Sequence, residues 1–260
     1  MNAREELARL AAELRTHAEW QMESGATGLP AERDRPRAVS SSASAFTTAT
    51  ATTTTTATTT AITTATPTSK LRLVELAEEI RTCNKCTLHA ARTQTVFARG
   101  NPEAELCFIG EGPGADEDRQ GFPFVGKAGQ LLDRMIAAMG YQRDDVYVCN
   151  IVKCRPPENR KPEPDEMAAC RPYLREQLEI VAPKVIVALG ATAVEGLIGM
   201  GGGITRMRGQ WKLYRTIPVM PTFHPAYLLR NPAAKREVWA DLQAVLKQLG
   251  RPVPAAGRPT

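Results

Sequence analysis

Residues 106–135 read LCFIGEGPGADEDRQGFPFVGKAGQLLDRM, and the fold class follows from how this stretch is parsed. An apolar run, Leu106 to Ile109, enters a turn built from Gly110, Gly112, Pro113 and Gly114. The chain then crosses an acidic segment before a helical period begins near Lys127. That order is strand, tight loop, helix. A loop so rich in glycine lets backbone N–H groups approach a small ligand, because no side chains block the way. Neither GxGxxG nor GxxxxGK[ST] is matched, so a phosphate cradle is the weaker reading. A socket for a neutral, hydrogen-bonding ring is the stronger one, with Phe122 and Phe124 available to stack and Glu111, Glu117 and Asp118 as acceptors.

Outward from this unit the pattern repeats. A helix is predicted over Leu71–Ile80, running into Cys83 and Cys86, and another over Ala128–Met139, closed by Gly140. Val146–Val152 reads as a strand, Pro164–Val181 as a helix with proline at its start, Val185–Leu189 as a strand, and Ala191–Ile198 as a helix after the Gly190 turn. A last strand, Ile217–Thr222, leads to His224, and Lys235–Leu249 forms an amphipathic closing helix. Strands separated by helices pair in parallel with helices on both faces, and ligands bind beyond the carboxyl ends of such strands. Gly110 to Gly114, Asn150 to Cys154, Gly190 and His224 are thereby expected at one sheet edge. A gly-rich turn at Gly201–Gly203 carries no chemistry.

The chain has 260 residues and 43% hydrophobic content, enough for a sizeable core. Residues 1–38 carry an amphipathic helical pattern through Leu7, Leu10 and Leu14, with six Lys+Arg against seven Asp+Glu, which leaves the rest at 27 against 21, a balance of +6. A basic body suits a polyanionic partner. Residues 39–69 are Ser-, Thr- and Ala-rich with almost nothing large to bury, the composition of a disordered linker. The globular domain is expected over 70–250 and a flexible tail over 251–260. Charges interrupt every apolar run in the opening MNAREELARL, so neither a signal peptide nor a membrane span is expected, and the expected localisation is cytoplasmic.

Six cysteines remain to be placed. Cys83 and Cys86 form C-x2-C; Cys154 and Cys170 have fifteen residues between them, and each stands before Arg-Pro. Cys107 and Cys149 fall inside apolar strand patterns, where a buried thiol is the ordinary outcome. The first four read as ligands of one centre, against an alternative of six ordinary reduced thiols. Their irregular spacing favours a [4Fe–4S] cluster over the paired knuckles of a zinc ribbon.

Three segments in order, GEGPGADEDRQGFPFVGKAGQLLDRM, CNIVKCRPPENRKPEPDEMAAC and FHPAYLLRNPAAK, with the four cysteines so placed, closely resemble the family 4 uracil-DNA glycosylases, the iron–sulfur branch of that superfamily. The resemblance spans about Leu71 to Gly250. It implies one α/β/α domain around a four-stranded parallel sheet, a structural [4Fe–4S] cluster, and hydrolysis of the N-glycosidic bond of uracil in DNA. It places cluster ligands on Cys83, Cys86, Cys154 and Cys170, and the uracil pocket on Glu111, Gly112, Gly114, Glu117, Phe124, Asn150 and His224.

Each residue then has an expected task. Phe124 would stack under an extruded base, a contact of about 1–3 kcal/mol. Asn150 would read the O4 and N3–H edge of uracil, which cytosine reverses. Glu117 would fill the space beside C5 and exclude the thymine methyl group, while Asp116 and Asp118 read as solvated acids. His224 would bond uracil O2 as charge develops there. The best-known branch of the superfamily has a water-orienting aspartate where this chain has Gly112, so Glu111 is the first candidate for that task. Leu228 or Leu229 would fill the gap left by the base, with Arg230 near phosphate. Lys153, Arg155, Arg160 and Lys161 would meet backbone phosphates.

The expected partner is uracil-containing DNA, single- or double-stranded, bound by a monomer, with residues 1–38 as a segment for a repair or replication protein. No lysine occupies the pocket motifs, so no lyase step is expected, and no basic insertion of the covalently trapping kind follows the second strand. The competing reading is a binding module that recognises uracil-DNA without turnover.

Overall fold

The computed structural model describes residues 67–254. The segment 1–38, nearly all of the 39–69 linker and the end of the tail lie outside the described residues. The elements run α1 (Pro67–Arg81), β1 (Ala98–Gly100), β2 (Leu106–Gly110), α2 (Ala115–Gln120), α3 (Lys127–Ala138), β3 (Tyr147–Asn150), α4 (Pro164–Val181), β4 (Val185–Leu189), α5 (Ala191–Ile198), α6 (Ile204–Met207), β5 (Lys212–Tyr214), β6 (Ile217–Thr222), α7 (Pro225–Arg230) and α8 (Lys235–Gln248).

The strands form one sheet in the order β1-β3-β2-β4-β6-β5. β3, β2, β4 and β6 pair in parallel, whereas β1 runs antiparallel to β3 and β5 antiparallel to β6. The expected four-stranded, all-parallel sheet is therefore corrected to a six-stranded mixed sheet whose four central strands are parallel. Both added strands are three residues long, ARG and KLY, too short for a period-2 pattern to register.

Why helices cover both faces is visible in the strands themselves. All five residues of β2 and of β4 are buried, as parallel strands between two helical layers require. Along β2, Leu106 and Phe108 point into a core with Leu131, Leu132, Met135 and Ile136 of α3 and Val238, Leu242 and Val245 of α8. Cys107 and Ile109 point the other way, into a core with Met167, Leu174 and Leu178 of α4 and Ala193, Val194 and Leu197 of α5. This alternation makes the three-layer α/β/α arrangement.

Register brings the strand ends level. Gly110 lies opposite Asn150, and Leu189 opposite Thr222. β3 ends at Asn150, earlier than the predicted Val152, because the Ile151 and Val152 amides turn to donate to the Gly110 and Glu111 carbonyls at 3.0 and 3.2 Å. No helix among the described residues is long and apolar enough to cross a membrane.

Candidate active site

The carboxyl ends of β2, β3 and β6 open onto a cleft of about 540 Å3, lined by Glu111, Gly112, Gly114, Glu117, Phe124, Asn150, His224 and Arg230 among others. The seven residues expected to form a ring-binding socket are thus brought together from three distant segments.

The acidic stretch after Gly114 folds as α2 instead of a loop, and this separates its carboxylates. Glu117 turns inward: Oε2 accepts from the Gly114 amide at 3.1 Å, and Oε1 accepts from the Val125 and Gly126 amides at 3.0 Å each. One side chain therefore staples the glycine loop to the GFPFVG turn. Asp116 pairs outside with Arg119. Asp118 is only 4% exposed and accepts from the Thr93 amide at 2.9 Å, so it is a structural anchor and not the solvated acid expected.

Phe124 is held in an uncommon backbone conformation, φ +56°, which costs free energy unless its surroundings enforce it. They do so from several sides. A Cβ on Gly129 would lie 1.9 Å from the Phe124 carbonyl oxygen, and one on Gly110 would lie 2.6 Å from its ring. Arg99, on β1 and buried, donates from Nε to the Pro123 carbonyl at 3.1 Å and pairs with Asp133. The ring faces His224, with centroids 5.7 Å apart and planes inclined by 30°. Phe122, two residues earlier, is 57% exposed and does not line the cleft, so the expectation that both rings serve the socket is corrected. The left-handed turn at Phe124 sends the two side chains in different directions.

Asn150 is 2% exposed, and its side-chain Oδ1 is buried without a hydrogen-bond partner. Native interiors seldom leave such an acceptor empty, and a cleft is where one awaits a donor. That oxygen lies beside Gly110 and the Phe124 ring, since a Gly110 Cβ would touch both.

His224 caps α7, its Nδ1 accepting from the Ala226 amide at 3.1 Å. An accepting Nδ1 leaves Nε2 as the protonated nitrogen of a neutral ring. Burial pushes its pKa down from 6.5 to about 4, with Glu117 acting in the opposite sense. Between those two values the unfolded ring takes up a proton that the folded ring refuses, so stability falls as pH drops from 6.5 towards 4 and is unaffected above that window. An NMR titration of the His224 ring is expected to show a midpoint near pH 4; an unshifted midpoint would contradict this environment.

At the rim, α7 settles which leucine is free. Leu228 is fully buried in the core, whereas Leu229 is 44% exposed, so Leu228 is withdrawn as a wedge. Arg230 lines the cleft, and Arg155 donates to the Asn159 side chain at 2.8 Å. Lys153, expected at phosphate, is fully buried, with Nζ donating to the Asn150 carbonyl at 2.8 Å. Arg160 is engaged in a bidentate pair with Glu166 and Lys161 pairs with Glu195. Arg99, Asn159 and Tyr227 were not singled out from sequence. Arg99 sits in a strand too short to read, while Tyr227 stacks on Phe223, 4.7 Å between centroids, a partner visible only once α7 turns.

Behind β3, Cys83, Cys86, Cys154 and Cys170 line one small cavity together with Arg92, Lys153 and Tyr173. Arg92 donates to the Cys154 sulfur at 3.2 Å and to the Cys83 carbonyl at 2.7 Å. Burial pushes Cys170 up to about 11 and raises Cys86 and Cys154, which favours the neutral thiol at each. Among the described residues, no three His, Cys, Asp or Glu side chains are grouped to hold a single ion. Cys107 and Cys149 are buried in β2 and β3, as expected of core thiols.

The family model for the uracil-DNA glycosylase superfamily matches residues 97–243. The type-4 uracil-DNA glycosylase of Thermotoga maritima is 49% identical over 160 residues, 60% of this chain and 82% of that protein. The type-4 enzyme of Sulfurisphaera tokodaii is 44% identical over 182 residues, 66% of this chain and 83% of that protein. This chain is a type-4 uracil-DNA glycosylase family member. A type-5 uracil-DNA glycosylase from Pyrobaculum aerophilum is more distant, 32% identical over 149 residues, 51% of this chain and 66% of that protein. Membership accounts for the glycine loop, GFPF turn, Asn150 and the His224 segment all falling within the matched range.

Proposed function

We propose that this chain excises uracil from DNA in base excision repair, hydrolysing the N-glycosidic bond to release free uracil and leave an abasic site. The observation that carries the reading is the empty acceptor Oδ1 of Asn150, buried beside the face of Phe124. Uracil has a donor at N3 and an acceptor at O4; cytosine presents the reverse pattern there. With the base on Phe124, Asn150 accepts from N3–H and donates to O4. Glu117, immobilised by three amides, forms a rigid wall against a C5 methyl group. A carboxylate that cannot retreat excludes better than a mobile one.

The neutral His224 donates from Nε2 to O2 as the bond breaks and negative charge gathers on the leaving base. A neutral donor stabilises that charge without first having to be protonated. The bond opens largely dissociatively, and water captures the sugar cation; Glu111, at the cleft wall, orients it in place of the aspartate that Gly112 supplants. Leu229 fills the vacated stack, while Arg230 and Arg155 meet phosphate, which makes binding strongly salt-dependent. The reading takes residues 70–250 as the catalytic domain of a cytoplasmic monomer, 1–38 as a docking segment for a repair or replication protein behind the 39–69 linker, and 251–260 as a tail.

The four thiols fit an iron–sulfur cluster: they surround a cavity instead of meeting at a point, and two come from one turn while two come from the β3–α4 region. Held by Cys83, Cys86, Cys154 and Cys170, a [4Fe–4S] cluster would supply a cross-brace between α1, the segment after it and α4. Aerobically purified protein is expected to be brown, with a band near ~400 nm and roughly four irons per chain; one zinc in a colourless protein would end this assignment.

A uracil-containing oligonucleotide treated with protein and then alkali decides between enzyme and binding module, because only turnover leaves an alkali-cleavable site. Asn150→Ala and His224→Ala are each expected to lower the single-turnover rate tenfold or more, about 1.4 kcal/mol or above. An unchanged rate in Glu111→Gln would remove Glu111 from the mechanism.

A further inference from the structure

We infer that Lys153 is a positioning residue whose buried ammonium ties the pocket residue Asn150 to the cysteine-lined cavity; the inference rests on the glycosylase and cluster assignments above. Lys153 is completely buried, a rare state for lysine because desolvating an ammonium is costly unless it is well partnered. Its Nζ donates to the Asn150 carbonyl at 2.8 Å. Its backbone is fixed as well: the carbonyl accepts from the Val96 amide at 2.8 Å. It lines the same cavity as the four thiols, and the next residue in the chain is Cys154.

One neutral carbonyl does not neutralise a buried cation. No carboxylate among the described residues is paired with this ammonium, and the cavity wall it shares carries the thiols of Cys83, Cys86, Cys154 and Cys170. The negative charge suited to it is that of the thiolates that a loaded cavity contains. The ammonium is then held from one side by cavity charge and holds, on the other, the carbonyl at the end of β3 from which the Asn150 side chain reaches the socket. Electrostatic attraction on the cavity side is thereby converted into fixed geometry on the pocket side.

The test compares wild-type holoenzyme with Lys153→Met, which keeps most of the volume and removes the charge, and Lys153→Arg, which keeps the charge. Three quantities are read: iron content, cluster reduction potential, and the affinity for free uracil by calorimetry. Lys153→Met is expected to retain iron, to move the potential to more negative values because a nearby cation no longer favours the added electron, and to bind uracil at least tenfold more weakly. Lys153→Arg is expected to restore part of both shifts. A Lys153→Met protein with wild-type potential and wild-type uracil affinity overturns the inference. Should Lys153→Met not accumulate, amide exchange in the wild type before and after iron chelation decides instead. Loss of protection at Ile151 and Val152, whose amides bond the Gly110 and Glu111 carbonyls, is expected on chelation, and undiminished protection overturns the link. Wild-type protein lacking iron or uracil release would instead strike at the parent assignments, which keeps the two failures apart.

Discussion

Gly110→Ala is expected to lower the single-turnover rate of uracil release a hundredfold or more, about 2.7 kcal/mol, while costing the fold only about 1–3 kcal/mol. Gly110 does not have the positive φ that would make any side chain strained, so the effect is purely one of space. Its added methyl group would stand 2.5 Å from Asn150 Oδ1 and 2.6 Å from the Phe124 ring. Both neighbours are enclosed, Phe124 at 4% and Asn150 at 2% exposed, and the Asn150 carbonyl is held by Lys153. One carbon atom thus displaces both the proposed platform for the base, Phe124, and the proposed reader of its edge, Asn150. Gly203→Ala is the matched control, since a Cβ there meets nothing within 4 Å, and its rate and melting temperature are expected to stay at wild-type values. A Gly110→Ala enzyme within threefold of wild type would mean that the base does not sit between Asn150 and Phe124.

Glu117→Ala is expected to lose both stability and selectivity. Its carboxylate satisfies three backbone amides, and each amide left without an acceptor costs about 1–3 kcal/mol, less where water can enter. A loss of about 2–4 kcal/mol in denaturant melts follows. The Val125 and Gly126 amides directly follow the positive-φ Phe124, so that ring also loosens and the uracil rate is expected to fall tenfold or more. Glu117→Gln keeps one acceptor oxygen for Val125 and Gly126 but turns a donor towards the Gly114 amide, which places it between the two. With the wall at C5 gone, the ratio of uracil to thymine excision is expected to fall, measured on matched oligonucleotides. If Glu117→Ala melts with wild type while Glu117→Gln does not, the amide bonds are not what the carboxylate is there for.

Sequence alone reached the central strands and the gathering of three segments at one cleft, and it stopped where side-chain direction had to be known. Val185–Leu189, Ala191–Ile198 and Ile217–Thr222 are observed with the predicted limits; the apolar run VIVAL and the Gly190 turn leave few alternatives for the first two, and IPVMPT forms a strand despite its two prolines. The gathering of Gly110, Asn150 and His224 followed from topology, since parallel strands put their carboxyl ends on one side. Phase was not legible in short elements. Nothing in AYLLR says whether Leu228 or Leu229 faces inward when the helix has only six residues. The acids of ADED look alike in a string, yet once α2 winds they separate into an exposed ion pair, a three-amide staple and a buried anchor. Lys153 reads with its basic neighbours as a surface charge, although it stands between buried Val152 and Cys154 just past the end of β3. Arg99 had no pattern to betray it.

The two marginal strands, Ala98–Gly100 and Lys212–Tyr214, have a consequence for crowded solution. A parallel sheet ending on a long bare strand offers unpaired amides and carbonyls along which a second molecule can zip. Here each border is a ribbon of only about 10 Å, running against its neighbour, too brief to template an incoming chain. One of these ribbons opens with Lys212, whose ammonium adds a cost to any docking strand. Concentrated protein should therefore resist fibril growth, and lengthening either ribbon with β-branched residues is the change most able to undo that resistance.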